Sequence, residues 1–163
     1  MRYYKLKLLD REYTVVLFSC SGDIASEDAL FSINAPLIGA SIRHMALTAF
    51  LVSVFGETNK RLKRIRHPLY RFLAVLFGIH QIHKLIEVAE RGYKTIQILV
   101  FEGESPTSIK CEIGQAPCLR ALDYVYVMRE LGIELSNTII SSCQLLERYA
   151  LTRSATFAGI GRL

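Results

Sequence analysis

The chain has 163 residues, of which 21% are charged and 51% hydrophobic, which excludes a disordered chain and fits one domain with a sizeable core. Met1-Arg2-Tyr3-Tyr4-Lys5 contains no apolar h-region, and the longest uncharged apolar stretch, Met45 to Gly56, is too short to span a bilayer. The expectation is a soluble, cytoplasmic protein without a transmembrane segment, carrying a net charge of +5.

In chain order, Tyr4, Leu6 and Leu8 alternate with Lys5 and Lys7, the period of a strand with one wet face. Asp10-Arg11 is a polar break before a more buried strand over Tyr13 to Phe18, and the two read as a hairpin. A polar connection through Gly22-Asp23 and Ser26-Glu27-Asp28 leads to a third strand over Ala29 to Ile33, ending at Asn34-Ala35-Pro36. Pro36 is expected to open a helix, where its missing N–H is no loss. Ile38, Ile42, Met45, Ala49 and Val52 form one stripe of that helix, further apolar residues bury it on most sides, and Gly56 ends it.

After Glu57 to Arg71, where His67-Pro68 breaks any helix, apolar residues from Leu69 through Leu73, Ile79, Ile82, Ile86 and Ala89 recur at helical spacing, predicting one long helix. Gly92 suits its left-handed C-terminus. Ile96 to Phe101 is a run of β-formers and predicts a strand buried on both faces. A loop over Glu102 to Pro106 and a short strand over Ile109 to Ile113 follow. Pro117 then opens a helix bearing Ala121, Val125 and Met128, stopped by Leu131-Gly132-Ile133. Ser136 caps a last helix carrying Ile139, Cys143, Leu146 and Ala150. The predicted whole is an α/β domain over 1–151, a small mixed sheet with an N-terminal β-hairpin and about four main helices. Residues 152–163 read as a mobile or loosely docked tail.

The charge is unevenly placed. Lys60, Arg61, Lys63, Arg64, Arg66 and Arg71 stand against one acid, Glu57, a local excess of five that equals the net charge of the chain. Six cations in twelve positions can neutralise several phosphates, giving salt-dependent nucleic-acid affinity, and Tyr70 adds a ring for base stacking. The same pattern serves as a solvated connector, or as a dock for an acidic protein or anionic lipid.

Other chemistry is less complete. His80, His83 and Glu87, at spacings of three and four, share a face of the predicted helix and make a weak metal-ligand set, or simply its polar edge. Asp10, Glu102, Glu104 and Asp123 serve a metal-dependent phosphodiesterase only if the fold brings them together. Cys20, Cys111, Cys118 and Cys143 contain no C-x-x-C pair and read as buried thiols. Cys20, in Ser19-Cys20-Ser21-Gly22-Asp23, lacks an evident base or pKa-lowering neighbour. No metal or cofactor is predicted.

Ser32-Ile33-Asn34-Ala35-Pro36-Leu37 resembles an I-D-A-P-L type motif found in a family of predicted nucleases with an RNase H-like fold. Ala89-Glu90-Arg91-Gly92-Tyr93-Lys94-Thr95-Ile96-Gln97-Ile98 is similar to that family's E-R-G-Y-like stop and I-E-V type strand. The helix from Arg120 to Leu131 and the ending Ala158-Gly159-Ile160-Gly161 follow in similar order, so the resemblance spans residues 29–161. It implies an RNase H-like arrangement whose acids are replaced: Asn34 stands for the aspartate and Gln97 for the glutamate. An amide carries no negative charge and does not anchor Mg²⁺ as a carboxylate does.

The resulting expectation is a non-catalytic nucleic-acid-binding protein, a degenerate nuclease holding the phosphate backbone through residues 60–71, as a subunit of a larger assembly. The alternatives are an adaptor recognising an acidic protein, and a divergent metal-dependent nuclease. The apolar content is compatible with a homo- or hetero-oligomer.

Overall fold

The computed structural model describes residues 2–19, 27–104 and 121–159. The first alternating segment forms strand β1 (Arg2–Leu8), and Leu9-Asp10 turns it into β2 (Arg11–Phe18). β3 (Phe31–Pro36) lies at the far edge, with the central β-former run, β4 (Thr95–Glu102), between β2 and β3. The four-stranded order is β1-β2-β4-β3. Every pairing is antiparallel, so the parallel component of the expected mixed sheet is not found among the described residues.

Alternation along the strands separates two cores. Val15 and Leu17 on β2, Ile33 and Ala35 on β3, and Ile96, Ile98 and Val100 on β4 point into the main core beneath the helices. Val16, Phe18, Leu99 and Phe101 form a smaller buried cluster on the opposite face, against Ala29. β4 is thus buried on both faces as expected, but within an antiparallel sheet.

The first helix, α1 (Ile42–Phe55), starts later than Pro36 suggested. Pro36 instead ends edge strand β3, opposite Thr95, a position where a residue without a donor is tolerated. Ser41 is the N-cap, its Oγ accepting from the His44 amide at 3.0 Å. α1 is buried on most sides, as the sequence predicted, and packs on β2 and β4; Phe50 meets Tyr13 edge-to-face at 5.1 Å.

The predicted long helix is two helices. α2 (Pro68–Phe77) and α3 (Ile82–Ala89) are bent by 102° at the intervening break. Gly78 adopts φ 63, its N–H reaching Val75 O at 3.3 Å while Ile79 N reaches Ala74 O at 3.0 Å. That pair of bonds is a Schellman stop, which competes successfully with the apolar periodicity running through it. The predicted stops at Gly92 and Gly132 are also left-handed, with φ 68 and 78.

Beyond β4, α4 (Ala121–Glu130) precedes the short α5 (Asn137–Ile140) and the long α6 (Cys143–Ala158). The expected last helix is therefore divided: Ser136 caps α5 and Ser142 caps α6. α6 packs on α1 and α2. It continues through residues 152–158, with Ser154 and Ala158 buried, so this part of the expected loose tail is packed helix. Three of its buried residues, Ala150, Ser154 and Ala158, are small. Cys143 is exposed, not buried. The predicted strand over 109–113, the opening at Pro117, and Cys20, Cys111 and Cys118 lie outside the described residues. No single helix among the described residues is long and apolar enough to cross a membrane.

Candidate functional site

The basic segment connects α1 to α2 and is held at three points. Leu62, in a one-turn 3-10 helix (Leu62–Arg64), and Ile65 are buried in the main core. Asn59 organises the turn before them: its Oδ1 accepts from Arg61 N at 2.8 Å and Leu62 N at 3.2 Å, and its Nδ2 donates to Ala158 O at 3.0 Å. The connector is thereby tied to the last turn of α6. Between these anchors Lys60, Arg61, Lys63, Arg64 and Arg66 are exposed, and none forms an ion pair with a described residue.

Arg71 and Tyr70 differ from the other predicted site residues. The Arg71 side chain is only 13% exposed and bridges Glu57, with Nη1 to Oε1 at 2.6 Å and Nε donating to Ile65 O at 3.0 Å. Gly56 leaves room for it, since a Cβ there would lie 3.0 Å from Arg71 Nη1. Arg71 therefore braces the connector from within. Tyr70 is half-buried against the core, its ring 4.9 Å from that of His67. His67 itself caps α2, Nδ1 accepting from Leu69 N at 3.2 Å.

Three of the exposed cations, Lys60, Arg61 and Arg64, border two concavities. The larger is a groove of about 620 Å³, with Lys60 and Arg61 from the connector, Tyr149, Arg153 and Phe157 from α6, and Gly78 at the end of α2. A smaller one of about 450 Å³ lies between Arg61, Arg64, His80 and Ile82. Arg61 borders both. Arg153 donates from Nε to Phe77 O at 2.7 Å, from Nη2 to Gly78 O at 3.3 Å and from Nη1 to Tyr149 Oη at 3.3 Å. A guanidinium over these terminal carbonyls complements the negative end of α2. Residues 57–71 carry no local pattern that names α6 as their neighbour. The signal was there in Tyr149, Arg153 and Phe157, spaced by four and so stacked along one helix face.

The remaining candidates do not assemble. His80 lies in the α2–α3 break, whereas His83 and Glu87 are on α3, so the three share no helix face. Asp10 sits in the β1–β2 turn and Asp123 in the first turn of α4, while Glu102 pairs with Arg11 at 3.3 Å and Glu104 with Lys5 at 3.9 Å. Among the described residues no three His, Cys, Asp or Glu side chains converge to hold a metal ion. Asn34 and Gln97, the amides at the two acid positions of the resemblance, are directly opposite each other across β3 and β4. Their main-core neighbours Ile33, Ala35, Ile96 and Ile98 place both on the other face of the sheet, away from the basic connector.

A buried polar chain links three helices with no motif in the sequence to mark it. His44 is fully buried in α1. Ala40 N–H donates to its Nδ1 at 3.2 Å, which places the proton on Nε2; Nε2 donates to Ser154 Oγ at 2.8 Å, and Ser154 donates to Val75 O at 2.8 Å. Burial lowers the His44 pKa to about 3. A histidine activating a serine must accept its proton, but here imidazole donates to the hydroxyl. The pair joins α1, α6 and α2. Compared with protein-family models, with curated proteins and with solved structures, the chain matches none.

Proposed function

We propose that the protein binds nucleic acid through the phosphate backbone and does not cleave it. The observation that carries this reading is the run of five exposed cations, Lys60, Arg61, Lys63, Arg64 and Arg66, none in an ion pair with a described residue, on a connector braced from beneath. Cations already neutralised by neighbouring acids gain little from a phosphate. Those free of such partners gain through counterion release. Bracing lowers the ordering cost of binding. In the degenerate-nuclease form of the reading, the apposed Asn34 and Gln97 are the vestige of a carboxylate pair in an RNase H-like arrangement. Phosphates then follow the helical side of the sheet and bypass that vestige. A place as subunit of a nucleic-acid-processing assembly suits a chain that holds but does not react.

The test is binding of labelled DNA and RNA across a salt series, beside the Lys60/Arg61/Lys63/Arg64→Ala variant. The wild type is expected to show a steep fall of affinity with salt, and the variant to lose about 3 to 4 from the slope of log K against log salt. Absence of binding near physiological salt overturns the reading in favour of an acidic protein partner. Ile82, 38% exposed beside Arg61 and Arg64, gives such a partner some apolar contact.

A further inference from the structure

We infer that the groove between the connector and α6 takes an unpaired base of a single strand, so that the ligand is single-stranded nucleic acid and not a duplex; this rests on the phosphate-binding reading above. A surface serving only to hold phosphates needs cations and polar groups. This groove has cations along one wall and aromatic rings along the other. Lys60 and Arg61 border it from the connector. Tyr149 and Phe157 border it from α6, both half-buried and seated on the main core, and therefore fixed in place. They lie two helical turns apart, about 12 Å along α6 at roughly 1.5 Å per residue, with Arg153 between them.

Arg153 is held by the Phe77 and Gly78 carbonyls and by Tyr149 Oη. This anchorage keeps positive charge beside the Tyr149 ring in the groove, while the core contact holds the ring itself. Thr152 and Thr156 on the same helix add hydroxyls for the polar edge of a base. The two walls are tied together by Asn59 Nδ2 donating to Ala158 O, so the groove is preformed. A volume of about 620 Å³ lies within the ordinary range of small-molecule sites, roughly 300 to 1,000 Å³, and accommodates a base with its sugar. Stacked duplex bases present no free face to such rings, whereas single strands do, and base–aromatic stacking is tolerant of sequence.

The chain contains no tryptophan, so Phe157→Trp places a single indole fluorophore in the groove. Single-stranded DNA and RNA 15-mers, the matching duplexes, and heparin as a polyanion without bases are titrated against it, with thermal melts confirming the fold. Expected are quenching by single strands and not by heparin, and tighter binding of single strands than duplexes. Tyr149→Leu and Phe157→Leu are each expected to weaken single-strand binding about tenfold with the salt slope unchanged, while Tyr149→Phe, which keeps the ring, binds as the wild type does. Equal binding of duplex, heparin and single strand, unmoved by the leucine variants but still collapsing in the Lys60/Arg61/Lys63/Arg64→Ala variant, overturns the base-binding groove and leaves phosphate binding standing. No binding of any of these ligands overturns both.

Discussion

Tyr124 is fully buried in α4, edge-on to His44 with centroids 5.4 Å apart and stacked on Phe77 at 5.6 Å. Its hydroxyl nevertheless has no hydrogen-bond partner among the described residues, and burial pushes its pKa up, with Tyr149 adding to the rise and Arg153 opposing it. An orphaned buried donor costs about 1 to 3 kcal/mol. Tyr124→Phe keeps both ring contacts and is expected to raise stability by about 1 kcal/mol in chemical denaturation; a loss of similar size would show that the hydroxyl is bonded. His44 has the opposite character, with every polar atom satisfied. Its pKa is about 3 in the fold against 6.5 outside it, so between those values the unfolded chain takes a proton that the native one refuses. Stability is therefore unaffected by this group above 6.5 and falls as pH drops below it, at up to roughly 1.4 kcal/mol per pH unit. Urea titrations at pH 6.5 and 5, above most carboxylate titration, measure the slope. His44→Gln, whatever its absolute stability, is expected to abolish this contribution.

At the scale of elements, Gly78 decides the shape of the helical layer. Phe72 to Phe77 are all buried, and an uninterrupted helix through Ile79 would carry Ile82 and Ile86 along the α2 axis. The left-handed stop turns α3 by 102° instead. A Cβ at Gly78 would also lie 2.8 Å from Arg153 Cγ and Nε. Gly78→Ala is therefore expected to cost about 1 to 3 kcal/mol from the positive φ, and more where Arg153 is displaced, read as a lowered melting temperature. An Arg153→Met background relieves the displacement and leaves the φ cost. The same glycine explains why His80, His83 and Glu87 do not line up. Apolar periodicity runs unbroken through Phe77-Gly78-Ile79 because it is a property of many residues, while the stop depends on one. Where stops interrupt no periodicity, at Gly92 and Gly132, the sequence located them correctly.

At the scale of the whole molecule, the basic connector and the Asn34–Gln97 pair are separated by the sheet. The connector belongs to the helical side, whereas Asn34 and Gln97 face the other way. Substituting these amides is therefore expected to leave the salt dependence of nucleic-acid binding unchanged, while changes at Lys60 to Arg64 alter it. Much of this protein was legible in sequence: the hairpin, the doubly buried β4, a burial-rich α1 and the concentration of charge all follow from local periodicity, residue type and counting. Those are properties of a residue and its chain neighbours. Tertiary structure alone decided that the sheet is antiparallel, that Pro36 ends a strand, that Arg71 braces the connector from within, and that Tyr149 and Phe157 face Lys60 and Arg61. Each of these depends on which distant segments meet. Hydrophobic burial selects such meetings for the whole chain at once, and no local pattern records the partner.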